Sequence, residues 1–244
     1  MHEFGGSGDG IEPYGGVVAD AGGNIYGTTA EGGANGAGTV FELSASNGQW
    51  TETVLYSFCA ETYCADGAYP FAGLVLDVAG NLYGTTDSGV TGNECVAGST
   101  CGTVFELASV DGQWAETVLH SFEGSDGATP TANVIFDAAG NLYGTAYLGG
   151  SNACSMGCGA VFELKPGKGG ACTEKTLHLF ENARDGANPC GGLVPDSSGN
   201  FYGTTSQGPG TDCDGLGCGA VYSIRPRGKY NSDPKVVTVH GHRS

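Results

Sequence analysis

Pro70-Phe-Ala-Gly-Leu-Val-Leu-Asp77, a three-residue turn and Asn81-Leu-Tyr-Gly-Thr85 together decide the fold. The same phrase recurs from Pro13 to Asp20 with Asn24-Ile-Tyr-Gly-Thr28. It recurs again from Pro130 to Asp137 with Asn141-Leu-Tyr-Gly-Thr145, and from Pro189 to Asp196 with Asn200-Phe-Tyr-Gly-Thr204. The copies are 57–60 residues apart. A third motif follows each pair: Gly38-Thr-Val-Phe-Glu-Leu43, Gly102-Thr-Val-Phe-Glu-Leu107, Gly159-Ala-Val-Phe-Glu-Leu164 and Gly219-Ala-Val-Tyr-Ser-Ile224. A fourth is Glu52-Thr-Val-Leu-Tyr-Ser-Phe58, Glu116-Thr-Val-Leu-His-Ser-Phe122 and Glu174-Lys-Thr-Leu-His-Leu-Phe180, worn down in the last copy to Lys235-Val-Val-Thr-Val-His240.

Each motif is a short run of Val, Leu, Thr, Tyr and Phe bounded by Gly, Asn or Asp, which reads as strand and turn. No segment carries a helical period. Four strands per unit, repeated about every 60 residues, are the signature of a β-propeller blade. The expected fold is therefore all-β: four repeats of four antiparallel strands, forming four blades or a fragment of a larger propeller. The blades run over 13–58, 70–122, 130–180 and 189–240 of one domain, 1–244. His2-Glu3-Phe4 matches the end of a fourth strand, either as a ring-closing strand or as the stub of another blade.

Composition agrees. Glycine makes up 46 of 244 residues and charged residues only 14%, which suits many tight turns and excludes a long-helix protein. Residues 1–164 hold 19 acids and no Lys or Arg. Phosphate backbones and anionic lipids need clustered bases, so nucleic acid is not an expected partner. No stretch approaches 18 apolar residues, so no membrane insertion is expected. Ten cysteines fit an oxidising compartment, so the protein is expected to be extracellular or periplasmic, its signal lying outside this sequence. The spacings Cys59/Cys64, Cys95/Cys101, Cys154/Cys158 and Cys213/Cys218 suit local disulfides better than zinc, since no histidine sits beside them. Cys172 and Cys190 are left over. They should fall on opposite faces and stay unpaired; Cys190, near the axis, could serve as a nucleophile, but a plain buried thiol is the expectation.

The Asp-x-x-Gly-Asn turns between the first two strands are structural, because Asp and Asn bond their own turn backbone and Gly supplies positive φ. The loops between the second and third strands vary in length and sequence. With the loops that link blades they form one face, and variable loops on a rigid scaffold usually carry binding. That face collects Glu31, Glu61, Asp66, Asp87, Glu94, Glu123, Asp126, Glu181, Asp185, Asp212 and Asp214, a density of hard oxygen ligands that suits calcium. The Asp-Gly pairs at Asp9, Asp66, Asp126 and Asp185 recur in every copy, and so first read as turns. His120 and His178 share a repeat position with Tyr56, and so read as scaffold. Departures from the repeat carry more information. Asn133 replaces the glycine of the other copies beside the axis, Ala146 replaces a threonine, Tyr147 follows it, and Ser223 replaces a glutamate.

The inner-hairpin pattern resembles NHL-type and SMP-30 (gluconolactonase)-like propellers, and the Gly-Thr-Val-Phe-Glu-Leu strand resembles the GloVer tandem repeat of secreted bacterial proteins. Propellers of the gluconolactonase and paraoxonase group are often calcium lactonases, whose ion polarises a carbonyl. The resemblance implies a calcium-assisted hydrolase for small lactones or esters, acyl-homoserine lactones among them. Asn133, Asp126 and Tyr147 are its candidate catalytic residues; Asp66, Asp126, Asn133 and Asp185 are its candidate metal ligands. The other reading is a non-catalytic glycan- or surface-binding propeller using Tyr63, Tyr69, Phe71 and Tyr147. No Gly-x-Ser-x-Gly elbow or His-Glu-x-x-His motif is present.

Overall fold

The computed structural model describes residues 2–89, 101–167, 172–182, 185–208 and 217–225, and the backbone of 237–239. In chain order the strands are β1 (Gly10–Ile11), β2 (Val18–Ala19), β3 (Ile25–Thr29), β4 (Glu31–Gly32), β5 (Thr39–Ser46) and β6 (Gln49–Ser57). They continue as β7 (Val75–Leu76), β8 (Leu82–Thr86), β9 (Thr103–Val110), β10 (Gln113–Ser121), β11 (Ile135–Phe136) and β12 (Leu142–Ala146). The last are β13 (Ala160–Pro166), β14 (Cys172–Leu179), β15 (Val194–Pro195), β16 (Phe201–Thr205), β17 (Ala220–Ile224) and β18 (Val237–Val239).

They form four antiparallel four-stranded sheets: I (β2-β3-β5-β6), II (β7-β8-β9-β10), III (β11-β12-β13-β14) and IV (β15-β16-β17-β18). A two-stranded β1-β4 pair stands apart. Strand order follows chain order in every large sheet, the up-and-down meander expected of blades. The first strand of each sheet pairs over only two residues, shorter than the eight-residue phrase suggests. The earlier part of each phrase instead lies against its neighbours as extended chain.

Each sheet is locked to the next in three ways. A Phe at the end of one sheet's last strand packs edge-on against the third-strand aromatic of the next: Phe58 on Phe105, Phe122 on Phe162 and Phe180 on Tyr222, with ring centroids 5.0–5.2 Å apart. All six rings are fully buried. A second-strand threonine reaches the innermost segment of the next sheet: Thr28 to Ala72 O, Thr85 to Ala132 O and Thr145 to Gly191 O. Finally, the residues before the repeated prolines, Tyr69, Thr129 and Asn188, hold φ of 50–58°, a region that non-glycine residues rarely enter. Their N–H groups donate to Ala37, Cys101 and Cys158 of the preceding sheet, and their carbonyls accept from Asp87, Tyr147 and Ser206 of the following one. Bonds on both sides hold the strained backbone in place.

His2–Phe4 behaves as a further last-strand end. Phe4 packs edge-on against Phe41 at 4.9 Å, and His2 bonds Asp9. At the opposite end of the series, Val194, Tyr202 and Val221 of sheet IV are exposed.

The Asp-x-x-Gly-Asn turns are structural as expected. In sheet II, Asp77 accepts from the N–H groups of Ala79 and Asn81, from Asn81 Nδ2 and from the Tyr83 hydroxyl. Asp20, Asp137 and Asp196 repeat the arrangement.

Candidate functional site

Two repeat positions converge on one cavity. Tyr14, Phe71, Thr131 and Cys190 occupy the first and Gly16, Gly73, Asn133 and Gly192 the second; all eight line a space of about 540 Å³. Equivalent residues from four sheets can meet in this way only near the axis about which the sheets are arranged. The inner edges touch in series. A Cβ on Gly15 would come within 2.5 Å of Gly73 N, and one on Gly73 within 2.3 Å of Gly16 O, so glycine is required for that approach.

Asn133 therefore sits where the sequence places it. Its Oδ1 accepts from the Gly73 N–H at 2.9 Å. That donor fixes the amide orientation, and Nδ2 makes no hydrogen bond to a described residue. Cys190 departs from expectation: its thiol is free and exposed rather than buried, and it lines the same cavity as Asn133. Its place near the axis is as expected, in one repeat column with the rim residues Tyr14, Phe71 and Thr131; its exposure is not. Tyr14 and Phe71 form a tilted ring pair on the rim, with centroids 5.6 Å apart.

The predicted carboxylates are elsewhere. Asp66 accepts from the Tyr56 hydroxyl and the N–H groups of Ala60 and Glu61. Asp126 bonds His120 Nε2 at 2.8 Å and accepts from Glu123 N–H, and Asp185 does the same with His178 and Glu181. These are turn locks between consecutive sheets, and none of the three lines the axial cavity. Burial alone would raise the Asp126 pKa, but the His120 ring and the Glu123 N–H outweigh it and hold it below the usual carboxylate range. Tyr147 is half-buried away from the cavity, its carbonyl accepting from Asn188 Nδ2 and its N–H donating to Thr129 O. The structure thus keeps Asn133 apart from Asp66, Asp126, Asp185 and Tyr147.

A calcium ion takes six to eight oxygen ligands. The described residues around the axis offer no carboxylate, and the Asn133 oxygen is already bonded. They do not fit calcium. Glu94, Asp212 and Asp214 lie outside the described residues. A different group, His2, Asp9 and Glu52, brings three ligand atoms within 4.8 Å of one another. Its mixed nitrogen and oxygen donors would suit a transition cation rather than calcium. Asp9 also accepts from the N–H groups of Gly5, Gly6 and Gly10.

The other departures have structural explanations. Thr29 pairs with Thr39, and Thr86 with Thr103, through their hydroxyls at 2.8 Å. Ala146 faces Ala160 in the same register, so both partners of that hydrogen bond are replaced together, a nearly neutral exchange. Ser223 faces Tyr202 where Glu42, Glu106 and Glu163 face the other repeat tyrosines.

The disulfides Cys59–Cys64 and Cys154–Cys158 are formed. Cys101 and Cys218 are also disulfide-bonded; their expected partners Cys95 and Cys213 lie outside the described residues. Cys172 and Cys190 are free, as expected.

A model of the Gloeobacter/Verrucomicrobia repeat matches residues 1–100 and 96–240. The chain belongs to the Gloeobacter/Verrucomicrobia repeat family. Within the repeat of this chain, Asn133 and Cys172 are places where a single copy departs from the others, and Cys190 lies in a column that differs in all four copies. No curated protein matches the chain. Among solved structures, one that carries the provisional name gluconolactonase is 16% identical, with a TM-score of 0.48 over 93% of this chain and 76% of that one. No helix of the described residues is long and apolar enough to cross a membrane.

Proposed function

We propose that the axial cavity is the substrate site of a lactonase-like hydrolase acting on small, uncharged lactones or esters. The observation that carries this reading is the meeting of Asn133 and Cys190 in one cavity. Asn133 Nδ2 is an unused donor, placed to hold a carbonyl oxygen and to stabilise negative charge that develops on it. The Cys190 thiol is the strongest nucleophile type on the lining.

In the proposed reaction the sulfur attacks the carbonyl carbon, the ring C–O bond breaks, and the thiol proton ends on the departing oxygen through solvent. Water then hydrolyses the thioester, releasing the hydroxy acid and restoring the thiol. Among the described residues no lining side chain is a His, Asp or Glu, so in this reaction solvent carries the protons and turnover is slow. No step is routed through calcium. The disulfides favour export to the periplasm or beyond.

The test is proton release from aliphatic and acyl-homoserine lactones, with intact-mass detection of an acyl adduct. Turnover is expected to vanish in Cys190→Ala and to fall by about 10²-fold in Asn133→Ala. Turnover that survives both changes would move the chemistry elsewhere. Turnover lost to EDTA would show that a metal ion takes part and would overturn the metal-free reaction written here. With no turnover and no adduct, the aromatic rim of the exposed Tyr14 and the half-buried Phe71 makes glycan binding the leading reading.

A further inference from the structure

A second cavity, of about 780 Å³, opens between sheets II and III. Its volume falls within the range of small-molecule sites. It shares no lining residue with the axial cavity. The repeat explains why it exists. Trp114, the second residue of β10, stands two residues before Glu116, which pairs with Leu107; Cys172, the first of β14, stands two residues before Glu174, which pairs with Leu164. The two positions are equivalent.

At the junction of sheets I and II, the Trp114 ring closes edge-on over Tyr26, with centroids 6.4 Å apart. At the junction of sheets II and III, Tyr83 is the equivalent of Tyr26, but Cys172 stands where the indole would be. The half-buried thiol and Tyr83 both line the cavity. Leu76, Leu119, Phe136 and Leu142 complete its apolar wall. Phe136 meets Tyr83 edge-on at 5.0 Å.

Asp77 and Asp137 already hold their turns through four donors each, which leaves Glu106 as the lining carboxylate open to a ligand, and the described residues of the lining include no Lys, Arg or His. The Tyr83 hydroxyl can donate to only one of Glu106 and Asp77, which lie 2.7 and 3.2 Å away. Such a wall rejects anions and accepts a ligand N–H. Burial and the nearby Glu106 raise the Cys172 pKa, so the thiol reacts slowly and serves here as a wall atom.

We propose that this cavity is a second ligand site, one that binds a neutral or cationic aromatic molecule of indole size in the place Trp114 fills at the neighbouring junction. It does not depend on the hydrolase reading. The test is calorimetric titration of the full chain with indole, tryptamine and indole-3-acetate. Indole and tryptamine are expected to bind, and the anionic acetate at least about tenfold more weakly. Cys172→Trp should abolish binding and raise the melting temperature, whereas Cys172→Ala should retain binding. As a check that needs no folded variant, indole should slow alkylation of Cys172 in the unmodified protein. Peptide mass analysis would read Cys172 separately from Cys190. No binding of indole, equal binding of the acetate, undiminished binding in a folded Cys172→Trp protein, or unchanged alkylation of Cys172 would each overturn the proposal.

Discussion

Sheets III and IV are written in the same repeat but experience different surroundings. Every residue of β12 is buried, whereas β16 alternates buried and exposed. Tyr143 is 2% exposed and Tyr202, its equivalent, 42%. Val161 is fully buried and Val221 is 46% exposed. Sheet III has a neighbour on each face, and the Val221 and Tyr202 face of sheet IV has none among the described residues. The difference shows that a repeat residue gains its worth from the following sheet, since one sheet buries only one face by itself.

The strongest way to break this contrast is at a ring that spans two sheets. Phe162 is fully buried and packs on Phe122 across the junction of sheets II and III. Phe162→Ala should cost about 3–5 kcal/mol, measured by urea unfolding. Val221→Ala, on the open face of sheet IV, should cost under about 0.5 kcal/mol. Equal losses would mean that the two faces are equally covered in solution.

The junctions themselves provide the second test. Trp114 is half-buried against the core shared by sheets I and II. Trp114→Cys should cost about 2–3 kcal/mol, less than for a fully buried ring. It should also create a second indole site, so that the stoichiometry found by calorimetry doubles. A variant that loses stability without gaining a site would show that the first junction collapses where the second stays open.

Third comes a hydroxyl compared across the same repeat position. The Tyr143 hydroxyl bonds the buried Glu163 and Asp137; the Tyr202 hydroxyl bonds only Asp196 at an exposed site. Tyr143→Phe should cost about 1–2 kcal/mol by leaving Glu163 short of a donor. Tyr202→Phe should change stability by less than about 0.5 kcal/mol. Thermal melts of the pair would decide it.

These contrasts also mark what was legible in the sequence. The meander, the turn aspartates and the local disulfides could be read from four aligned copies, because each rests on contacts within a repeat. Asn133 was legible as a departure, and its neighbourhood as axial. The carboxylates were misjudged in place. Asp66, Asp126 and Asp185 lie in loops that the resemblance linked to a channel ion, but each loop turns its carboxylate toward the Tyr or His ending the preceding strand. That partner lies six to ten residues earlier in the chain, a spacing that by itself does not tell an Asp–His or Asp–Tyr lock from an ion ligand. Cys172 was noted as standing in for a tryptophan, yet what a missing indole leaves behind depends on the facing wall of another sheet.

The smallest expected effect is electrostatic and compares two otherwise parallel junctions. Burial raises the Glu174 pKa, and the Thr176 hydroxyl first and the nearby His120 second partly offset the rise. Glu116 has no such neighbour. Burial first, then Asp66 and Glu61, push its pKa up to about 8, and its Oε1 is buried without a partner. Between the usual carboxylate range and pH 8 the folded chain keeps a proton that the unfolded chain has lost. The stabilisation is therefore full at pH 4 and is lost as pH rises through 8. Because Glu116 is only half-buried, the loss should be on the order of 1 kcal/mol. Glu116→Gln should flatten this slope and raise stability at pH 8.5, while Glu174→Gln should change it less. A wild-type unfolding free energy that stays level from pH 5 to 8.5 would show that Glu116 is ionised in the fold and that the two junctions are electrostatically alike.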